Sequence, residues 1–156
     1  MRKKLINSDT MRPHSQEEWL DLEEIARVEV TSEDPNFPIE AALTAGEGSG
    51  WRAAKKGKQI IRIVLDNPTT LRRIRLEFSE TEVERTQEFT LRWSDEAAGP
   101  FREIVRQQWN FTPQGSTSEV EDYQVQLEKV SALELTLKPD LTPDTAFATL
   151  AAWRVS

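Results

Sequence analysis

The sequence predicts an all-β domain of about eight strands, folded as a sandwich or a barrel. Three observations lead there. From Ala26 onward apolar and polar residues alternate with a period of two, segment after segment. Clusters of Gly, Pro, Asn and Asp separate the segments. A helical period shows only near the N-terminus, and only for a turn or two.

Taken in order, residues 1–14 have no periodicity and read as an N-terminal arm, with the domain proper over 15–156. Ser15-Gln16-Glu17-Glu18 has capping-box spacing ahead of Trp19, Leu22 and Ile25, which predicts a short helical turn. Ala26, Val28 and Val30 then alternate with Arg27 and Glu29 as a half-buried strand. Residues 33–38 hold two prolines and an Asn and form a loop; the glycine-rich stretch 46–50 forms another. Ile61, Ile63 and Leu65 make the next strand, ended by a turn at Asn67-Pro68. Ile74, Leu76 and Phe78 point inward while Arg73, Arg75 and Glu77 point out. Phe89, Leu91 and Trp93 repeat the pattern, a turn follows over 95–100, and 101–111 is a long, bulged strand. Tyr123-Val125-Leu127 and Leu133-Leu135-Leu137 read as two further strands, and Phe147, Ala151, Trp153 and Val155 close the chain. The predicted core includes Val28, Val30, Ile61, Ile63, Leu65, Ile74, Leu76, Phe89, Leu91, Tyr123, Leu133, Leu135 and Trp153.

Composition narrows the class. A chain of 156 residues fits one domain and is long enough to bury a core without staples. With no cysteine, disulfides and thiolate zinc sites are excluded. No apolar run follows Met1-Arg2-Lys3-Lys4, so neither an export signal nor a membrane span is expected, and a cytoplasmic location is. A net charge of −7 argues against nucleic acid and against anionic membranes as partners.

The machinery of catalysis is missing at sequence level. Nucleophilic catalysis needs a base beside its nucleophile, and the only histidine, His14, lies in the arm. One histidine builds no zinc site. The glycine-rich stretch lacks the lysine and following Ser or Thr of a phosphate cradle, so it reads as a turn. The 27 acidic residues fall mostly at outward or loop positions, as on a solvated face. Of five tryptophans, Trp93, Trp153 and Trp19 sit on inward phases; Trp51 and Trp109, at loop–strand junctions, fit either the core or a ligand site.

The order of the pieces resembles a family. Ala26-x-Val28-x-Val30-Thr31-Ser32, a proline loop, Ala42-Leu43, a glycine-rich turn, Trp51 and Gln59-Ile60-Ile61-x-Ile63-x-Leu65 resemble the first half of discoidin, or coagulation-factor C-type, domains. Thr86-x-x-Phe89-x-Leu91-x-x-Ser94-Asp95, then Phe101-Arg102-Glu103-Ile104, continue the likeness. Leu133-x-Leu135-x-Leu137-x-Pro139 and Ala148-Thr149-Leu150-x-x-Trp153-x-Val155 complete it. The resemblance implies an eight-stranded jelly-roll β-sandwich of the galactose-binding-like type, in general not an enzyme. Such domains bind sugars in the family-32 carbohydrate-binding modules, lipid headgroups in the coagulation-factor domains, and proteins in some intracellular relatives. It also implies a calcium loop, from which this chain departs: Thr44-Ala45 and Ala152 stand where two carboxylates are expected, and Glu47 alone makes no calcium shell. No cofactor and no metal are therefore expected.

The resulting expectation is a non-catalytic carbohydrate-binding module, with a protein–protein interaction module of an intracellular assembly as the alternative. By the resemblance, segments 33–38, 49–57, 79–86 and 139–146 form one end of the sandwich. The candidate ligand-binding residues there are Asp34, Asn36, Phe37, Arg52, Lys55 and Arg85, with Lys56 and Glu82 beside them. Phe37 is the aromatic face that a sugar site needs.

Overall fold

The computed structural model describes residues 19–44 and 50–156. The expected arm, the capping box at 15–18, and positions 45 and 47 of the implied calcium loop lie outside the described residues. The described helical turn is α1 (Leu22–Ile25), capped by Asp21, whose carboxylate accepts the Glu23 amide at 3.2 Å. β1 (Ala26–Val30) follows directly. A second helical turn, α2 (Glu40–Leu43), buries Ala42 and Leu43 and is too short for periodicity to predict. The remaining strands are β2 (Trp51–Lys56), β3 (Gln59–Ser79), β4 (Arg85–Ser94), β5 (Arg102–Phe111), β6 (Ser118–Lys138), β7 (Phe147–Leu150) and β8 (Ala152–Val155).

Two strands of 21 residues, β3 and β6, serve both layers of the sandwich. The first half of β3 lies between β1 and the second half of β6; β4 and β5 extend that layer to five strands. The second half of β3 lies between β8 and the first half of β6, giving a three-stranded layer. β2 and β7 pair as a separate two-stranded ribbon. The layers meet face to face, where Phe78 of β3 stacks on Phe89 of β4 with ring centroids 5.3 Å apart.

This corrects the expected turn at Asn67-Pro68. Proline has no amide for the ladder, so pairing breaks between Val64 and Thr69, yet the chain bends on into the other layer rather than reversing. Likewise the strands expected around Tyr123–Leu127 and Leu133–Leu137 are halves of one strand, bent beside Lys129, whose φ is +60°.

The alternation read from the sequence becomes rows across the sheet. On the inner face Val30, Ile61, Leu135, Leu91 and Val105 are successive Cα partners across all five strands. Ile61, Leu135 and Leu91 at the centre of that row are fully buried. The same ladder carries Glu29, Arg62, Glu134, Arg92 and Glu103 on the outer face, alternating in sign from strand to strand. Glu134 is buried beneath this face and receives hydrogen bonds from both Arg62 and Arg92. The Phe101 ring lies 5.4 and 5.6 Å from those two guanidiniums.

Of the predicted core, Val28, Val30 and Tyr123 are half-buried and pack against the cluster, because β1 and the first half of β6 are edge strands. The other ten are buried. Arg73 and Arg75 face outward onto Asp122, as the phase requires. The open question about Trp51 closes in favour of the core: it is 1% exposed, and its indole donates to the Ser32 carbonyl at 3.0 Å. Trp153 is also core, whereas Trp93 and Trp19 are half-buried beneath Arg102 and Arg73. Trp109 is half-buried among the partly buried side chains that pack on the core.

Candidate functional site

The β2–β7 ribbon forms the floor of a cleft at one end of the sandwich. Along β7, Ala148 and Leu150 go into the core, so Phe147 and Thr149 must face the other way. On β2, Arg52 is the Cα partner of Thr149 and Lys56 that of Phe147, with an irregularity between the two pairs. That irregularity sets both cations over one ring: the Arg52 guanidinium is 4.6 Å and the Lys56 ammonium 5.8 Å from the Phe147 centroid. The loop from Ser79 to Val83 forms the opposite wall, and Thr145 closes the end, enclosing about 410 Å³. That volume is in the range of small-molecule sites.

Arg85 holds the walls from below. Its guanidinium donates to Glu80 Oε1 (2.8 Å), Thr149 Oγ1 (3.2 Å), the Pro139 carbonyl (2.8 Å) and Gln87 Oε1 (3.3 Å), and lies 4.9 Å from the Phe111 ring. Burial alone would push the Glu80 carboxyl up. The hydrogen bond from Arg85 and the amides of Glu82 and Val83 outweigh it and hold Glu80 below the usual carboxylate range. The polar chain continues inward, where the Gln87 amide donates to Glu119 Oε1 at 3.3 Å. Glu119 is 1% exposed, and its other oxygen has no hydrogen-bond partner among the described residues. Burial, then the neighbouring Glu121 carboxylate, push its pKa to about 8.

The four loop segments do meet at this end. The amide of Leu141 donates to the Thr86 carbonyl (3.0 Å), and that of Thr86 to Asp140 (2.9 Å). Asp34 and Phe37 bracket Arg52 through backbone hydrogen bonds of 2.8 and 3.1 Å. Asp34 also closes its own turn by accepting the Asn36 amide at 2.9 Å. Among the sequence candidates, Arg52, Lys56 and Glu82 line the cleft; Asp34, Asn36, Phe37 and Lys55 do not. Arg85 requires a correction: it is 2% exposed and lies under the cleft rather than on its rim. The inward phase it shares with Gln87, Phe89 and Leu91 explains why. Phe147 and Thr149 were missed, although their outward phase against Ala148 and Leu150 was available to find them.

A second polar hollow, of about 270 Å³, lies on the outer face of the five-stranded layer, between Lys58, Glu88 and Arg106. There Glu88 is paired with both Arg106 and Lys138. In the loop-end cleft, by contrast, neither Arg52 nor Lys56 has a carboxylate within 4.0 Å among the described residues. Two cations with no carboxylate partner among the described residues, an aromatic ring and two threonines thus meet in the loop-end cleft.

No family model matches the chain, and no curated protein matches it in sequence. Solved structures do. The family-32 carbohydrate-binding module of Clostridium perfringens NanJ, in complex with galactose, superposes with a TM-score of 0.60 at 13% identity, over 88% of this chain and 96% of that one. The chain has the galactose-binding-like jelly-roll fold. The AlyQ family-32 module, in complex with 4,5-unsaturated mannuronic acid, gives 0.62 at 16% identity, over 85% of this chain and 95% of that one. A third such module, from a family 31 glycoside hydrolase of Clostridium perfringens, gives 0.64 at 17%, over 89% and 94%. A Ruminococcus gnavus GH29 fucosidase in complex with fucose also matches, with a TM-score of 0.63 at 11% identity, over 87% of this chain and 26% of that longer one.

Proposed function

We propose that this chain is a non-catalytic carbohydrate-binding module whose ligand sits in the loop-end cleft on the β2–β7 ribbon. The observation that carries the reading is the convergence of Phe147 with Arg52, Lys56, Thr145 and Thr149 in one concave place. Saccharides present apolar C–H faces and rings of hydroxyls, so they need an aromatic surface beside fixed polar groups. The strands supply rigidity, since Phe147 and Thr149 sit on paired backbone rather than on a free loop. Support also comes from neighbours of the same fold that hold galactose or an unsaturated mannuronic acid.

Isothermal titration against an array of neutral and acidic oligosaccharides tests the proposal. Binding of at least one saccharide is expected, weakened about ten-fold by Phe147→Ala with the melting temperature little changed. Saccharide binding that ignores Phe147→Ala would place the site elsewhere on the fold.

A further inference from the structure

Resting on that reading of the cleft, we infer that its ligand is an acidic saccharide, one that carries a carboxylate. Arg52 and Lys56 converge on the Phe147 ring at 4.6 and 5.8 Å, and like charges brought together repel. Elsewhere on this acidic chain most described arginines, Arg72 and Arg154 apart, are drawn into ion pairs: Arg62 and Arg92 onto Glu134, Arg73 and Arg75 onto Asp122, Arg106 onto Glu88 and Glu103. Arg52 and Lys56 have no such partner among the described residues, although Glu80 lines the same cleft. Glu80 is not available to them, because Arg85 and the amides of Glu82 and Val83 already occupy its oxygens. Glu82, the other acid on the lining, is exposed at the rim.

The cleft therefore presents, over one aromatic ring, two positive groups with no carboxylate partner among the described residues, in a protein of net charge −7. A neutral sugar would leave the two cations facing each other without an anion. A uronic acid supplies that anion. Its carboxylate matches the flat guanidinium fork of Arg52 and relieves the repulsion with Lys56.

The experiment uses matched pairs. The whole chain is titrated with oligogalacturonate, oligomannuronate and oligoglucuronate, each beside its methyl ester, and with neutral galactose and N-acetylgalactosamine oligosaccharides. At low salt at least one acid is expected to bind about ten-fold tighter than its own ester, since a charge-assisted hydrogen bond outweighs a neutral one. The preference should shrink with added salt and vanish in the Arg52→Gln, Lys56→Gln double variant. Lys56→Gln alone, at an exposed position, keeps the test open should the double variant fold poorly. Neutral sugars or esters bound as well as the acids would overturn the acidic specificity and leave the carbohydrate-binding reading standing. No binding to either set would overturn both.

Discussion

Replacing Arg85 with alanine should damage the fold more than any other substitution around the cleft. Its side chain is 1% exposed and paired with Glu80, itself 14% exposed, so solvent screens the interaction little. Removal takes a donor from the Glu80 carboxylate, the Gln87 side chain, the Pro139 carbonyl and the Thr149 hydroxyl, four acceptors that the guanidinium now serves. Breaking a buried ion pair from one side costs ~3–5 kcal/mol. Glu80 keeps its bonds from the Glu82 and Val83 amides, which puts the expected loss near the lower end, about 3 kcal/mol. For a domain of this size that lowers the melting temperature by roughly 6–12 °C. Urea denaturation monitored by tryptophan fluorescence measures it directly. Arg85→Lys should fall between wild type and alanine, since an ammonium keeps the charge but not the fork. A loss under about 1 kcal/mol for Arg85→Ala would refute the account of Arg85 as the strut beneath both walls.

Two further predictions concern stability. The Glu119 carboxyl has a folded-state pKa of about 8, above its unfolded value of 4.5, so the folded chain holds a proton that the unfolded chain releases. Its contribution to stability is therefore lost progressively as pH rises between those values, and Glu119→Gln should flatten that decline and stabilise the protein at pH 8; an unchanged pH profile in the variant would contradict the assignment. Gly50 has φ +80°, and a Cβ there would stand 2.6 Å from the Leu150 carbonyl oxygen and 2.9 Å from the Ala151 Cα, backbone atoms that cannot swing aside. At Gly57, φ +101°, the clash is with the Asp144 side chain, which can move; Gly50→Ala should thus lower the melting temperature more than Gly57→Ala, and the reverse order would sink the argument.

The core was legible because a period of two has one answer once one face is buried. Ile74 could not go inward without sending Arg73 and Arg75 outward. Layer membership was not legible. Nothing local distinguishes a strand that ends at Asn67-Pro68 from one that bends there, because the difference lies in which distant strand waits to pair with Leu71 to Ser79. The site was legible in part for a related reason. Arg52, Lys56 and Glu82 were visible as loop-end charges, but their relation to Phe147 depends on how β2 and β7 pair across nearly a hundred residues. Arg85 was misplaced by its chemistry: a lone arginine after Glu82, Val83 and Glu84 reads as solvated, and only its phase with Gln87 and Phe89 shows that it turns inward.

The central claim is that saccharide binds in the cleft on the β2–β7 ribbon. Titrating labelled protein with the tightest saccharide from the array, and following backbone and side-chain resonances, tests it most directly. The account predicts that the largest shifts fall on Arg52, Lys56, Thr81, Thr145, Phe147 and Thr149, with the outer face of the five-stranded layer unmoved. Shifts centred instead on Lys58, Glu88, Thr90 and Arg106 would contradict it.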